Sequence, residues 1–130
     1  MQEISPALYK DYKIYCCFAL NRLVSELDID LYQEGLEERL DEILEQKDAS
    51  LSKEDIKHEI KSNHVMTNKV LSRLEEDGFI EISQKGKRYG IRITKEGVLH
   101  VRQFNEFYRR IYHEQILDHC KYREIPAWAR

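Results

Sequence analysis

Between Phe79 and Ile93 the apolar residues stop recurring every third or fourth position and begin to alternate. Tyr89, Ile91 and Ile93 are separated by Arg88, Gly90 and Arg92, the period of a strand with one wet face. Phe79-Ile-Glu-Ile-Ser83 precedes them across Gln84-Lys-Gly-Lys87, so the segment predicts a hairpin with Lys85, Gly86 and Lys87 at its tip. The other apolar patterns have helical spacing. The expected class is therefore mainly α with a small β-hairpin, an α+β fold.

Pro6 occupies a position that the first turn of a helix tolerates. Leu8, Tyr12, Tyr15, Cys16, Ala19, Leu20, Leu23, Val24 and Leu27 then predict one long amphipathic helix within residues 6–33. After Gly35, Leu36, Leu40, Ile43 and Leu44 form the stripe of a short helix whose other face is rich in carboxylates. Ser52 and Asp55 make a capping-box pair ahead of Ile56 and Ile60. Lys61, Ser62 and Asn63 read as a turn, with Ser62 or Asn63 capping a helix that stops at Gly78. Beyond Thr94-Lys-Glu-Gly97 a second long helix, expected over residues 97–122, carries Val101, Phe104, Phe107, Tyr108, Ile111, Tyr112 and Leu117. Pro126 bounds the tail. With 130 residues, the chain is expected to be a single domain over 1–130. The order short helix, turn, helix, hairpin makes residues 36–97 a winged helix-turn-helix.

The formal charge of −3 argues against a nucleic-acid partner until it is resolved along the chain. Glu26 to Asp55 holds twelve acidic and three basic residues, a balance of −9. Lys61 to Lys95 holds eight basic and four acidic residues, a balance of +4, with Glu75, Glu76, Asp77 and Glu81 clustered. A polyanion meeting only the second segment would meet a basic surface, because charges beyond roughly 8–10 Å are screened.

At about 100° per residue, Met66, Thr67, Val70, Leu71 and Leu74 form the core side of the helix from His64 to Asp77. The opposite side presents Val65, Asn68, Lys69 and Ser72, with His64 and Glu76 at its edges. Asparagine, serine and an exposed valine are poor helix formers, and base recognition supplies a reason for them. Asparagine pairs bidentately with adenine, lysine reaches guanine acceptors and a valine methyl meets the thymine methyl. Val65, Asn68, Lys69 and Ser72 are therefore expected to read bases, with Arg73 on the backbone and Lys61, Ser62 and Asn63 positioning a phosphate. Lys85, Lys87 and Arg88 of the wing are expected in the flanking groove. Lysines on a hairpin also protect its edges from pairing.

Three stretches, Leu51–Ile60, Asn63–Ile82 and Ile91–Gly97, make the chain resemble bacterial or archaeal winged-helix transcriptional regulators, most closely the MarR type. Leu74-Glu-Glu-Asp-Gly-Phe-Ile80 matches the family's helix-to-wing passage and Ile93-Thr-Lys-Glu-Gly97 its wing exit; the resemblance covers about a third of the chain. The wing Ser83-Gln-Lys-Gly-Lys-Arg88 is shorter than the MarR pattern and lacks its acid two residues before an arginine, so the PadR type and archaeal or phage winged-helix regulators are alternatives. The resemblance implies a homodimeric repressor whose terminal helices, residues 6–33 and 97–122, intertwine with those of a second subunit. Leu8, Tyr12, Tyr15, Leu23, Phe104, Phe107, Tyr108, Ile111 and Tyr112 are the expected dimer contacts. A protein-interaction winged domain, such as an assembly or polymerase-associated subunit docking through its acidic segment, is the competing reading.

Cys16, Cys17 and Cys120 form no disulfide framework, and buried inert thiols are commoner than a redox switch through a Cys16–Cys120 contact. Tyr9, Tyr12, Tyr15, Tyr108 and Tyr112 would line either a dimer core or a pocket for an aromatic effector. The run His113, Glu114, Asp118, His119, Cys120 places only Glu114 and Asp118 one turn apart, which reads as a surface helix and not as a metal site. No phosphate loop, nucleophile motif or paired-carboxylate pattern stands out, so no catalysis and no cofactor are expected. Neither a signal-peptide order nor an apolar run of membrane length is present, and a cytoplasmic location is expected.

Overall fold

The computed structural model describes residues 12–85 and 88–130. Its elements are α1 (Tyr12–Ser25), α2 (Leu36–Gln46), α3 (Lys53–Ile60), α4 (His64–Glu76), β1 (Ile80–Lys85), β2 (Arg88–Ile93), α5 (Lys95–Ile111), α6 (His113–His119) and a closing 3-10 turn, Ala127–Ala129. The helices α2 to α4 followed by the antiparallel hairpin form a winged helix.

Local chemistry accounts for the boundaries in the middle of the chain. Ser52 caps α3 through a complete capping box, its Oγ accepting from the Asp55 N–H at 3.1 Å while an Asp55 carboxylate oxygen accepts from the Ser52 N–H at 2.9 Å. Asn63, rather than Ser62, caps α4: its Oδ1 accepts from the Met66 N–H at 2.8 Å. Gly78, at φ +78°, leads the chain out of α4, a conformation that costs an L-residue about 1 kcal/mol. Thr94 then caps α5, accepting from the Gly97 N–H at 3.1 Å and donating to the Gly78 carbonyl at 2.6 Å.

The hairpin pairs Ile80 with Ile93, Ile82 with Ile91 and Lys85 with Arg88. Its first strand runs two residues beyond the expected Ser83, and Gly86 and Lys87 of the expected tip lie outside the described residues. Leu51 adds a short bridge on the far side of β2, exchanging two 2.9 Å hydrogen bonds with Ile91. That bridge carries no sequence period because it is one residue long.

The first helix departs from the amphipathic expectation. Ile14, Cys17, Phe18, Ala19, Leu20, Asn21, Leu23 and Val24 are all buried, so α1 is enclosed on most sides, by α5, α3, α4 and β2. It ends at Ser25 rather than near residue 33, and Asp28 turns the chain at φ 51°. Between α1 and α5 the Asn21 and Asn105 amides hydrogen-bond each other reciprocally at 3.0 and 2.9 Å inside the core.

The second long helix is also divided. It breaks at Tyr112 (φ −111°, ψ 25°), and α6 folds back with Ile116, His119 and Cys120 buried. The expected surface helix at His113–Cys120 is thus half core. His119 stacks on Phe18 with ring centroids 3.9 Å apart, and Trp128 meets the same Phe18 edge-on at 5.0 Å. No helix among the described residues is long and apolar enough to cross a membrane.

Candidate nucleic-acid interface

The face of α4 opposite the core is open. Thr67, Val70, Leu71 and Leu74 are buried, while Val65, Asn68, Lys69, Ser72 and Arg73 are exposed, Val65 at 76%. An exposed valine between polar neighbours contributes nothing to the chain's own core, so its methyls are available to another molecule. His64 opens the helix with its Nε2 3.4 Å from Lys53 Nζ, which places the start of α3 beside the start of α4. Lys53 and Lys57 recur one turn apart on α3 and extend toward Lys61, a cationic row that the pattern of α4 alone does not reveal. Their i, i+4 spacing is the signal in the sequence that marks it.

Several bases of the +4 segment prove to be engaged within the chain. Arg92 Nη2 donates to the Leu44 and Lys47 carbonyls at 2.5 and 2.9 Å, closing the C-terminal end of α2. Lys95 pairs with Asp41 at 3.4 Å, and Arg102 with Glu37 at 3.6 Å, so α5 neutralises part of the acidic face of α2. Arg73 pairs with Asp77 at 3.2 Å. Lys61 adopts a left-handed conformation at the end of α3, and its Nζ donates to the His119 carbonyl. The cations available to face a polyanion are therefore fewer than the charge balance of the segment implies. Among the described residues of α3 and α4 they are Lys53 and Lys69, together with Lys57, whose pair with Glu54 is stretched to 4.0 Å.

The wing residues Lys85 and Arg88 close the hairpin ladder at its tip end; their side chains and Lys87 lie outside the described residues. The expected dimer contacts divide. Leu8 lies outside the described residues, and Leu23 is fully buried in this chain's own core, because α1 is enclosed on most sides. Tyr12, Tyr15, Phe104, Tyr108 and Tyr112 are half-buried, and Phe107 and Ile111 are exposed at 54% and 59%.

A cavity of about 300 Å³ lies where α1, the end of α4 and α5 meet. Tyr12 and Tyr108 line it, as do Cys16, Leu74, Phe79 and His100; Tyr15 and Tyr112 do not. His100 stacks on Phe79 (4.3 Å) and meets Phe104 at a tilt (4.7 Å), and burial holds its imidazole below the ordinary histidine range. Cys16, Cys17 and Cys120 form no disulfide, and Cys17 and Cys120 are buried. Among the described residues no group of His, Cys, Asp and Glu comes together that could hold a metal ion.

On the other side of α4 the C-terminal segment meets the α3–α4 turn. Arg123 holds both carboxylate oxygens of Glu59, at 3.0 and 3.1 Å, and His119 Nε2 lies 2.9 Å from the Glu59 carbonyl. That carboxylate pushes the Arg123 guanidinium above its ordinary range. No signal in the sequence marks this contact, which joins residues 64 positions apart.

No curated protein and no solved structure matches the chain. The family described as DUF6293 C-terminal winged helix domain matches residues 26–105, from the end of α1 through the wing into α5. That stretch takes in the capped α3–α4 pair, the hairpin and most of the helix behind it, well over half of the 130 residues, and the chain belongs to this family of winged helix domains.

Proposed function

We propose that the chain is a sequence-specific, double-stranded-DNA-binding transcriptional regulator of the MarR-like plan, acting as a homodimeric repressor. The observation that carries this reading is the exposed face of α4, where Val65, Asn68, Lys69 and Ser72 project from a helix whose other side is fully engaged in the core. In this reading α4 enters the major groove, and Lys85, Lys87 and Arg88 hold the flanking groove. Exposed Phe107 and Ile111 on α5 supply apolar surface for a second copy. An effector, whether a small molecule in the cavity beside Tyr12 or an oxidant at Cys16, would act on α4 from behind.

The second reading, a protein-interaction winged domain without specific DNA binding, draws support from Arg92, Lys95 and Lys61 being engaged internally. Titrating the protein with a duplex library at several salt concentrations separates the two. A preferred site with a steep negative salt slope supports regulation; no binding even at low salt would leave the protein-interaction reading standing. Asn68→Ala is expected to relax base preference at one position, at a cost of ~1–3 kcal/mol, while Lys87→Ala weakens all sequences alike.

A further inference from the structure

We propose that a second cavity, between the end of α1, α5 and the closing 3-10 turn, binds a free α-amino acid with a large apolar or aromatic side chain. Arg109 and Asn105 take its carboxylate, Asp28 and Asp30 take its ammonium, and the apolar lining takes its side chain. The inference does not depend on what α4 binds, and this cavity is separate from the one beside Tyr12.

The cavity has a volume of about 450 Å³, within the range of small-molecule sites. Val24, Ile29, Leu31 and Trp128 give it an apolar lining; Val24 is buried and the other three are half-buried. The reciprocal Asn21–Asn105 pair lines both this cavity and the one beside Tyr12, so it is a wall common to the two.

Charges of both signs line the same cavity without having been spent on each other. Of the three arginines of α5, Arg102 pairs with Glu37 and Arg110 with Glu106. Arg109 is half-buried and lines the cavity, yet among the described residues it has no ion pair or hydrogen bond. Asn105 lies one turn before it on the same face of α5. Its Nδ2 gives one hydrogen to Asn21 and carries a second, so the two side chains offer adjacent donors suited to a carboxylate.

The acceptors come from the segment that follows α1. Asp30 Oδ1 accepts from the Tyr32 N–H at 3.0 Å, and the Asp28 carboxylate has no partner among the described residues. No ion pair joins either of them to Arg109. A ligand with only a negative charge would meet the repulsion of Asp28 and Asp30, and one with only a positive charge that of Arg109. Salt screens such charges little inside a cavity. A zwitterion matches both signs, and an α-amino acid carries them on one carbon together with a side chain for the apolar lining.

Trp128 is the chain's one tryptophan, so its fluorescence reports on this cavity directly. The test titrates the full chain with L-phenylalanine and L-leucine, and with their analogues lacking the carboxylate (phenethylamine, isoamylamine) or the ammonium (hydrocinnamate, isocaproate). At least one amino acid should change the Trp128 emission saturably, and its two analogues should bind about tenfold more weakly or worse. Arg109→Gln should weaken the amino acid about tenfold while leaving the carboxylate-free analogue unchanged, a coupling that a purely structural role would not produce. Asp28→Asn should do the same for the ammonium-free analogue; asparagine tolerates the left-handed conformation at Asp28, so the charge is removed without a change of backbone. Circular dichroism melting checks that each variant folds, and if Arg109→Gln does not, Asp28→Asn decides. No saturable change with either amino acid up to roughly 10 mM overturns the site. Analogues that bind as tightly as their amino acid overturn it too, as do folded variants that bind like wild type.

Discussion

The Tyr12 phenol of α1 donates a 2.7 Å hydrogen bond to the main-chain carbonyl of Lys69 in α4. The Lys69 ammonium returns over the Tyr12 ring, 5.6 Å from its centroid. The helix proposed to read bases is thus tied through its backbone to a helix that also lines the cavity behind it. Burial first, and the neighbouring Cys16 second, push the Tyr12 phenol up to about 12.

Tyr12→Phe removes that tie and is expected to cost ~1 kcal/mol, measured by urea denaturation. Because the folded pKa is raised, the stabilisation is fully present below the unfolded value of about 10 and is lost as pH rises toward about 12. The fall in stability over that alkaline window should be shallower in Tyr12→Phe than in wild type; equal alkaline slopes would refute the assignment.

His100 works in the opposite sense. Its folded pKa is lowered by burial between Phe79 and Phe104, so its contribution is present above the unfolded value of about 6.5 and is lost as pH falls. His100→Phe keeps a ring in the stack and removes the titration. Its denaturation midpoint should drop less than that of wild type on acidification from neutral pH.

Asn21 and Asn105 satisfy each other inside the core, where both are almost fully buried. Asn21→Leu leaves the Asn105 amide buried without its partner, a loss of about 1–3 kcal/mol. The double variant Asn21→Leu/Asn105→Leu should be less destabilised than the sum of the singles, which a double-mutant cycle in urea measures directly. Additive losses would mean that the two amides act independently.

Gly97→Ala should be severe although the residue sits in an ordinary helical turn. An added Cβ would lie 2.3 Å from the Phe79 carbonyl oxygen and 2.7 Å from Ile93 Cγ1, and the first of these is backbone that cannot rotate away. We expect about 3 kcal/mol of destabilisation in thermal or urea unfolding. Gly78→Ala has open space around it and only the left-handed conformation to resist, so it should cost about 1 kcal/mol. The reverse ranking would place the tight contact elsewhere.

The elements whose causes are local are legible in the amino-acid sequence alone. Ser52 with Asp55, Asn63 ahead of α4, Gly78 beyond it and the alternation through Tyr89, Ile91 and Ile93 each act within a few residues, and each forms as expected. The same holds for the division of α4 into a buried side and an exposed one, since the period of a helix assigns faces without reference to partners.

Contacts between distant segments are not legible there, because no local pattern records them. Phe18 and Ile14 are core because α1 is enclosed on most sides, which an amphipathic pattern does not anticipate. The break at Tyr112 appears only when α6 folds back to place His119 on Phe18. Charge shows the difference most clearly. Counting residues assigns Arg92 and Lys95 to a basic surface, whereas the folded chain turns them onto the acidic helix α2 and brings Arg123 from the far end to cover Glu59. Composition settles how many charges a chain carries. Which of them still face solvent is set by pairing across the fold, since each ion pair consumes a charge of either sign.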